Sequence, residues 1–260
     1  MKRTSFFGGF LIVLCVGVLA GAAEKPAQES DVSGDPFAVV ELFTSEGCSS
    51  CPPADGLLAK ILESARKDKE RLFPLSFHVD YWNQLGWTDS FSDPAYSKRQ
   101  SRYTQALKVK SNYTPQMVVN GKEQFAGSNW WRARQVLTRA MKTPALASLK
   151  LHLEKGPAAD AVLVNYEVAP AAKDAVVNIA LVERGLVSRV LKGENAGRTL
   201  RHENVVRVFK TVPLSAEGKG QVNLQIPSFV ARDKVAVIVF FQNPVTMRIL
   251  AANGEDLGLK

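Results

Sequence analysis

Glu41-Leu42-Phe43-Thr44-Ser45-Glu46-Gly47-Cys48-Ser49-Ser50-Cys51-Pro52-Pro53-Ala54-Asp55 is entered by Val39-Val40, an apolar, β-branched lead-in of the kind that ends a buried strand. It runs out into Leu57-Leu58-Ala59-Lys60-Ile61-Leu62, where Leu58, Ile61 and Leu62 fall at helical spacing. Two thiols three positions apart therefore stand at a strand-to-helix junction. The free N–H groups and dipole of a helix start favour negative charge, so a thiolate there is stabilised over the thiol. Cys48, ahead of the helix, reads as the exposed nucleophile, and Cys51, further along, as the more buried resolving thiol. Cys-x-x-Cys also occurs in zinc sites and as an inert staple. Zinc normally takes four ligands, and no second Cys-x-x-Cys follows.

Ahead of this stretch, Met1-Lys2-Arg3 and the apolar run from Phe6 to Ala20 end in Ala20-Gly21-Ala22-Ala23. A basic start, an apolar run and small residues at its end make an export signal over 1–23, with a retained membrane anchor as the alternative. Leu14 before Cys15 argues against a lipoprotein. Cleavage would remove Cys15, leaving Cys48 and Cys51 as the only cysteines of a secreted or periplasmic chain, where disulfides form and exchange. Residues 24–36 are a polar linker. The 260 residues hold 33 Lys and Arg against 25 Asp and Glu, net +8, two of which leave with the signal. These charges are spread along the chain, giving a mildly cationic surface and no case for nucleic-acid binding. No stable membrane span is expected after signal cleavage.

Further along, Leu75, Phe77 and Val79 alternate with Ser76 and His78, which is strand patterning. An aromatic loop, Tyr81 to Trp87, follows, and Asp93-Pro94 opens a helix through Tyr96, Arg99, Tyr103 and Leu107. Gln116 to Val119 reads as a strand, Asn120-Gly121 as a hairpin turn, and Lys122 to Phe125 as its return. Ser128 or Asn129 caps a last helix containing Trp130, Ala133, Val136, Leu137 and Ala140.

That order, βαβαββα over 37–143, resembles the thioredoxin fold. The resemblance implies that Pro115 in Thr114-Pro115 is the cis-proline facing the cysteine pair, with Thr114 offering backbone hydrogen bonds to a substrate strand. An ordinary turn is the plain alternative. Gly47 replaces the tryptophan that precedes the first cysteine in thioredoxin, and Ser49-Ser50 replaces its Gly-Pro. Glu41, seven residues before Cys48, lies near where thioredoxins bury an acid that helps deprotonate the resolving thiol; its rival reading is a strand-end charge facing solvent. The Glu41–Asp55 stretch, Phe77-His78-Val79-Asp80-Tyr81-Trp82 and Tyr113 to Gly121 also resemble the signature segments of a secreted bacterial family, domain of unknown function 1223. That resemblance spans nearly the whole mature chain and implies no substrate. His78 is a candidate copper or zinc ligand beside the thiols, against the commoner outcome of a histidine hydrogen-bonded within the fold. Asp80, Tyr81, Trp82 and Trp87 are candidates to line the cysteine cleft.

Beyond Pro144 the period changes to alternation, seen in Leu149, Leu151 and Leu153, in Val162, Val164, Tyr166 and Val168, and in Val222, Leu224 and Ile226. Lys234 to Phe241 is apolar on both faces, as a central strand is. A mostly antiparallel β-sandwich-like domain is expected over 144–260. Gly193 to Arg207 is a polar loop too long for a hairpin turn, with Arg198 and Arg201 as candidates to reach the cysteine cleft or a partner. The function expected is thiol–disulfide exchange through Cys48 and Cys51 on disulfide- or thiol-containing proteins or a redox partner protein, with no cofactor. The alternatives are a binding module stapled by a structural Cys48–Cys51 disulfide, and a copper carrier.

Overall fold

The computed structural model describes Met1 and residues 34–258. The export signal expected over 1–23 and most of the linker expected over 24–36 lie outside the described residues. Among those described, no helix is long and apolar enough to cross a membrane.

The chain opens with β1 (Ala38–Thr44), α1 (Pro52–Asp68), β2 (Leu72–His78), α2 (Pro94–Ala106), β3 (Gln116–Val119), β4 (Glu123–Ala126) and α3 (Trp130–Ala140). β1 is buried throughout, so its alternation feeds two cores. Ala38, Val40 and Leu42 pack on Ala54, Leu58 and Ile61 of α1 and Ala133 and Val136 of α3. Val39 and Phe43 turn to the opposite face, where Tyr96 and Tyr103 of α2 lie. β1 runs parallel to β2 and antiparallel to β3, which pairs with β4. The β3–β4 turn puts Asn120 at φ 50° and Gly121 at φ 62°, as a two-residue hairpin demands. A side chain at Gly121 would also meet the Met247 carbonyl 1.8 Å away.

The second half adds β5 (Ser148–Lys155), β6 (Ala161–Ala169), β7 (Val176–Glu183), β8 (Leu186–Arg189), β9 (Thr199–His202), β10 (Val205–Pro213), β11 (Lys219–Gln225), β12 (Val235–Gln242) and β13 (Ile249–Asp256). β5, β6 and β11 form a separate antiparallel sheet. Its Leu149, Leu153, Val162, Val164 and Val168 pack on Val177, Ile179, Leu181, Val237 and Val239 of β7 and β12. The element type changes near Pro144, but the main sheet does not stop there. Its eight strands run β13-β12-β7-β10-β2-β1-β3-β4, and β10 meets β2 at Val205 and Ser76. One core joins Phe43 and Phe77 to Val206, Ile238 and Phe240, so the expected 37–143 and 144–260 segments share a sheet and an interior.

Candidate functional site

Cys48 and Cys51 are joined in a disulfide at the start of α1, with their Cα atoms 5.4 Å apart. Cys51 already has helical dihedrals and is the N-cap. The amides of Ala54 and Asp55 both donate to its carbonyl, at 2.8 and 3.1 Å. Pro52 and Pro53, the first two helical residues, have no N–H. The helix start thus offers the sulfurs few of the free amide donors expected there, and the activation argued from those donors is corrected to the dipole alone.

A second correction concerns access. Both cysteines are fully buried, at 0% exposure, whereas Cys48 was expected to be exposed. The loop between β8 and β9 is seated against the backbone of the cysteine segment. Asn195, itself buried, donates from Nδ2 to the carbonyls of Glu46 at 2.8 Å and Cys48 at 2.9 Å. Glu194 Oε2 accepts the Ser49 amide at 2.9 Å, and Arg198 Nη1 holds Asn195 Oδ1 at 2.8 Å. Ser49 and Ser50 remain exposed, and Ser50 Oγ lies 3.4 Å from Cys48 Sγ.

Next to the pair lies a buried polar cluster built by five segments. Thr44 and His78 are register partners at the C-terminal ends of the parallel strands β1 and β2. Thr44 Oγ1 donates to Asp55 Oδ1 at 2.8 Å, one helical turn beyond Cys51 and on the same side of α1. His78 Nδ1 pairs with Asp89 Oδ2 at 2.7 Å. His202 of β9 stacks edge-on to His78, with ring centroids 4.8 Å apart. Its Nε2 stands 3.3 Å from Glu46 Oε1 and its Nδ1 3.8 Å from Asp55 Oδ2. Neither contact completes an aligned hydrogen bond, so Glu46 Oε1, His78 Nε2 and both His202 nitrogens are buried without a hydrogen-bond partner. Unsatisfied buried polar atoms are rare and costly.

The cluster's charges are uneven. Burial pushes the Asp55 carboxyl above the usual range, an effect that His202 and His78 only partly offset. Burial also works against ionised Glu46 and Asp89, but their partners outweigh it and both are held low: Glu46 by His202, Ser188 and Trp87, and Asp89 by His78 and backbone amides. Burial works against charged His78, and Asp89 and Asp55 more than restore it, so its value is raised. Among the described residues no three His, Cys, Asp or Glu side chains are grouped to hold a metal ion.

Of the residues expected to support the cysteines, Trp82 and Thr114 are brought together: Trp82 Nε1 donates to Thr114 Oγ1 at 2.8 Å. The Thr114–Pro115 bond is cis. A Cβ on Gly47 would come within 3.0 Å of Trp82 Cβ, and one on Gly127 within 3.1 Å of both Ala54 and Pro115. The cysteine loop, Trp82 and the proline loop are therefore packed as neighbours. Asp80 is occupied elsewhere, accepting from Ser97 Oγ at the start of α2 at 2.5 Å. Glu41 fits neither reading given to it. It is buried, and its carboxylate receives Arg99 Nε at 2.5 Å, Arg99 Nη2 at 3.0 Å and the Tyr103 hydroxyl. Strand alternation explains this, because Glu41 shares the α2 face with Val39 and Phe43 while α1 lies on the other.

The cluster residues Glu46, Asp55, Asp89 and His202, and the covering Glu194 and Asn195, were not singled out from sequence. Asp55 carried a signal, four positions after Cys51. Asn195 sat in the polar loop picked out there, but it is the asparagine, not Arg198 or Arg201, that touches the cysteine segment. His202 lay in the same polar segment, with nothing local to mark it apart from its neighbours.

The family described as "Protein of unknown function (DUF1223)" matches residues 39–242. No curated protein matches the chain. The crystal structure of a protein from Agrobacterium tumefaciens is similar, at 27% identity and a TM-score of 0.67, covering 87% of this chain and 96% of that one. A DUF3823 family protein from Bacteroides ovatus gives 13% identity over 44% of this chain and 55% of its own, with a TM-score of 0.29. A β-glucuronidase from Ruminococcus gnavus gives 12% identity over 44% and 16%, with a TM-score of 0.24. At those scores neither carries an argument about this chain.

Proposed function

The chain belongs to the family described as protein of unknown function (DUF1223), and on that premise we propose that it is an exported, thioredoxin-like thiol–disulfide oxidoreductase. It acts through Cys48 and Cys51 on disulfide- or thiol-containing proteins or a redox partner protein. One observation supports the reading: the disulfide stands one helical turn from Asp55, beside a buried cluster of histidines and carboxylates in which Glu46 Oε1, His78 Nε2 and both His202 nitrogens lack hydrogen-bond partners. Proton-handling groups kept at such cost beside a reducible bond suit chemistry in which a thiolate leaves and must be protonated.

In the disulfide-donating direction, a substrate thiolate attacks Cys48 Sγ and the Cys48–Cys51 bond breaks. Cys51 sulfur departs with the electron pair and takes up a proton, for which Asp55 is the nearest raised acid along the helix. A second substrate thiol then loses its proton and attacks the substrate sulfur of the mixed disulfide, forming the substrate disulfide, while Cys48 leaves with the electron pair and takes up a proton. The substrate is left oxidised by two electrons and the pair reduced to a dithiol. As folded, the sulfurs have no entrance, so exchange begins with displacement of the Glu194–Asn195 cover.

That occlusion favours a second reading, a binding module in which the disulfide is a permanent staple. A Cys51→Ser variant expressed with its export signal separates the two. The oxidoreductase accumulates partners disulfide-linked to Cys48, and replacing Asn195 by alanine in the same variant increases their yield. A clean blank in both variants contradicts the proposal and leaves the staple.

A further inference from the structure

The stretch from Trp130 to Thr143 contains four cations, Arg132, Arg134, Arg139 and Lys142, and no acid. The inward side of α3 goes into the core through Ala133 and Val136. Its first two residues face water instead, Trp130 at 48% exposure and Trp131 at 72%. The two rings lie 5.7 Å apart, and Arg134 sits over the Trp130 ring at 5.6 Å. Neither indole N–H has a hydrogen-bond partner among the described residues. Trp130, Leu57, Ile61, Leu137 and Met141 line an apolar groove of about 490 Å³ between α1 and α3. Glu123 neutralises Arg132 and Arg139. Lys60, Arg134 and Lys142 also line it, are exposed, make no ion pair among the described residues, and share the lining with a single acid, Glu70.

We propose that this face docks on an anionic lipid bilayer, with Trp130 and Trp131 entering the headgroup layer and Lys60, Arg134 and Lys142 meeting lipid phosphates. Adjacent exposed indoles, apolar in body and with a free N–H, match the membrane–water interface, where one end of the ring is dry and the other wet. A basic helix without acids matches a surface of like-signed phosphates. Lysines on flexible stems suit headgroups dispersed in a plane better than one fixed carboxylate. The competing occupant is an acidic amphipathic helix lying in the groove. The proposal rests on α3 and its neighbours and stands or falls independently of the redox reading.

The test uses residues 24–260 with vesicles of mixed phosphatidylglycerol and phosphatidylcholine, and with pure phosphatidylcholine, read by co-sedimentation and tryptophan emission. Binding is expected to the anionic vesicles alone, with a blue-shifted emission that salt reverses. Trp130→Ala/Trp131→Ala should weaken it about tenfold or more, and Lys60→Glu/Lys142→Glu likewise. All four positions are exposed, and an unchanged urea midpoint confirms that each variant is folded. Three results overturn the proposal. One is the absence of vesicle binding. Another is binding that survives loss of both tryptophans, which would assign it to bulk charge. The last is an emission shift given by a glutamate-rich amphipathic peptide and not by vesicles, which would assign the groove to a protein partner.

Discussion

Replacing Glu41 by glutamine would leave the Arg99 guanidinium buried without its counter-charge. Arg99 is packed against the rings of Phe77, Tyr103, Phe209 and Phe240, where water cannot solvate it. Breaking a buried pair from one side costs about 3–5 kcal/mol, so a urea midpoint should fall by that equivalent while the potential of the disulfide stays put. A change in potential would return Glu41 to the cysteines. Its distance from Cys48 along the chain was legible; the face it takes was not, because that depends on which helix covers which side of β1. The His78–Asp89 pair gives a pH-dependent test. Raised His78 stabilises the fold fully below its unfolded value, near 6.5, and that contribution is lost as pH rises through its raised folded value. Lowered Asp89 contributes above its ordinary 3.8, and its contribution is lost as pH falls through its lowered folded value. Asp89→Asn should therefore cost most between those limits, about 3 kcal/mol near pH 5.5, and less once His78 is neutral. A cost that does not fall as pH rises from 5.5 through the raised His78 value would mean that His78 is not charged in the fold.

Two short segments decide what the sulfurs can do. Pro52 and Pro53 shape the start of α1 while withholding its amides, a consequence readable from the sequence once Cys51 is recognised as the cap. Gly193 to Arg207 was legible as polar and glycine-bearing, but β9 and the start of β10 take its second half, and the seat of its first half on Cys48 was not legible, since nothing local encodes a contact across 147 positions. Asn195→Ala removes two of the three hydrogen bonds that hold the loop to the cysteine segment, leaving the one from the Ser49 amide to Glu194. Each net hydrogen bond is worth about 1 kcal/mol, so the open form should gain roughly tenfold or more in population. Reduction by a water-soluble phosphine, followed by alkylation and mass analysis, should accelerate to match. An unchanged rate would mean that the loop is not what limits access. Deep burial of the same residues under the rest of the fold would then be responsible.

At the level of the molecule, the alternating segments beyond Pro144 were legible as strands, and their partners were not. β10 pairs with β7 on one side and with β2 on the other, and Phe209 meets Phe77 edge-on at 5.4 Å; the contacts with β2 and Phe77 link residues more than a hundred positions apart. A chain cut to residues 34–143 would expose the edge of β2 and the aromatic face around Phe77. It should fail to unfold cooperatively and should aggregate; a sharp urea transition for that fragment would contradict the shared core. His202, Asn195 and Glu194 come from the same second half, so the site is completed only when both halves are present.

On the proposed function, the covered Cys48–Cys51 disulfide still exchanges. The most direct measurement equilibrates the folded protein in graded glutathione buffers, quenches it with an alkylating agent and counts modified cysteines by mass. A reversible transition at Cys48 and Cys51 is expected with a midpoint above roughly −300 mV, reached faster in Asn195→Ala at the same final value. A pair that stays oxidised through that range, or yields only as the protein unfolds, would contradict it.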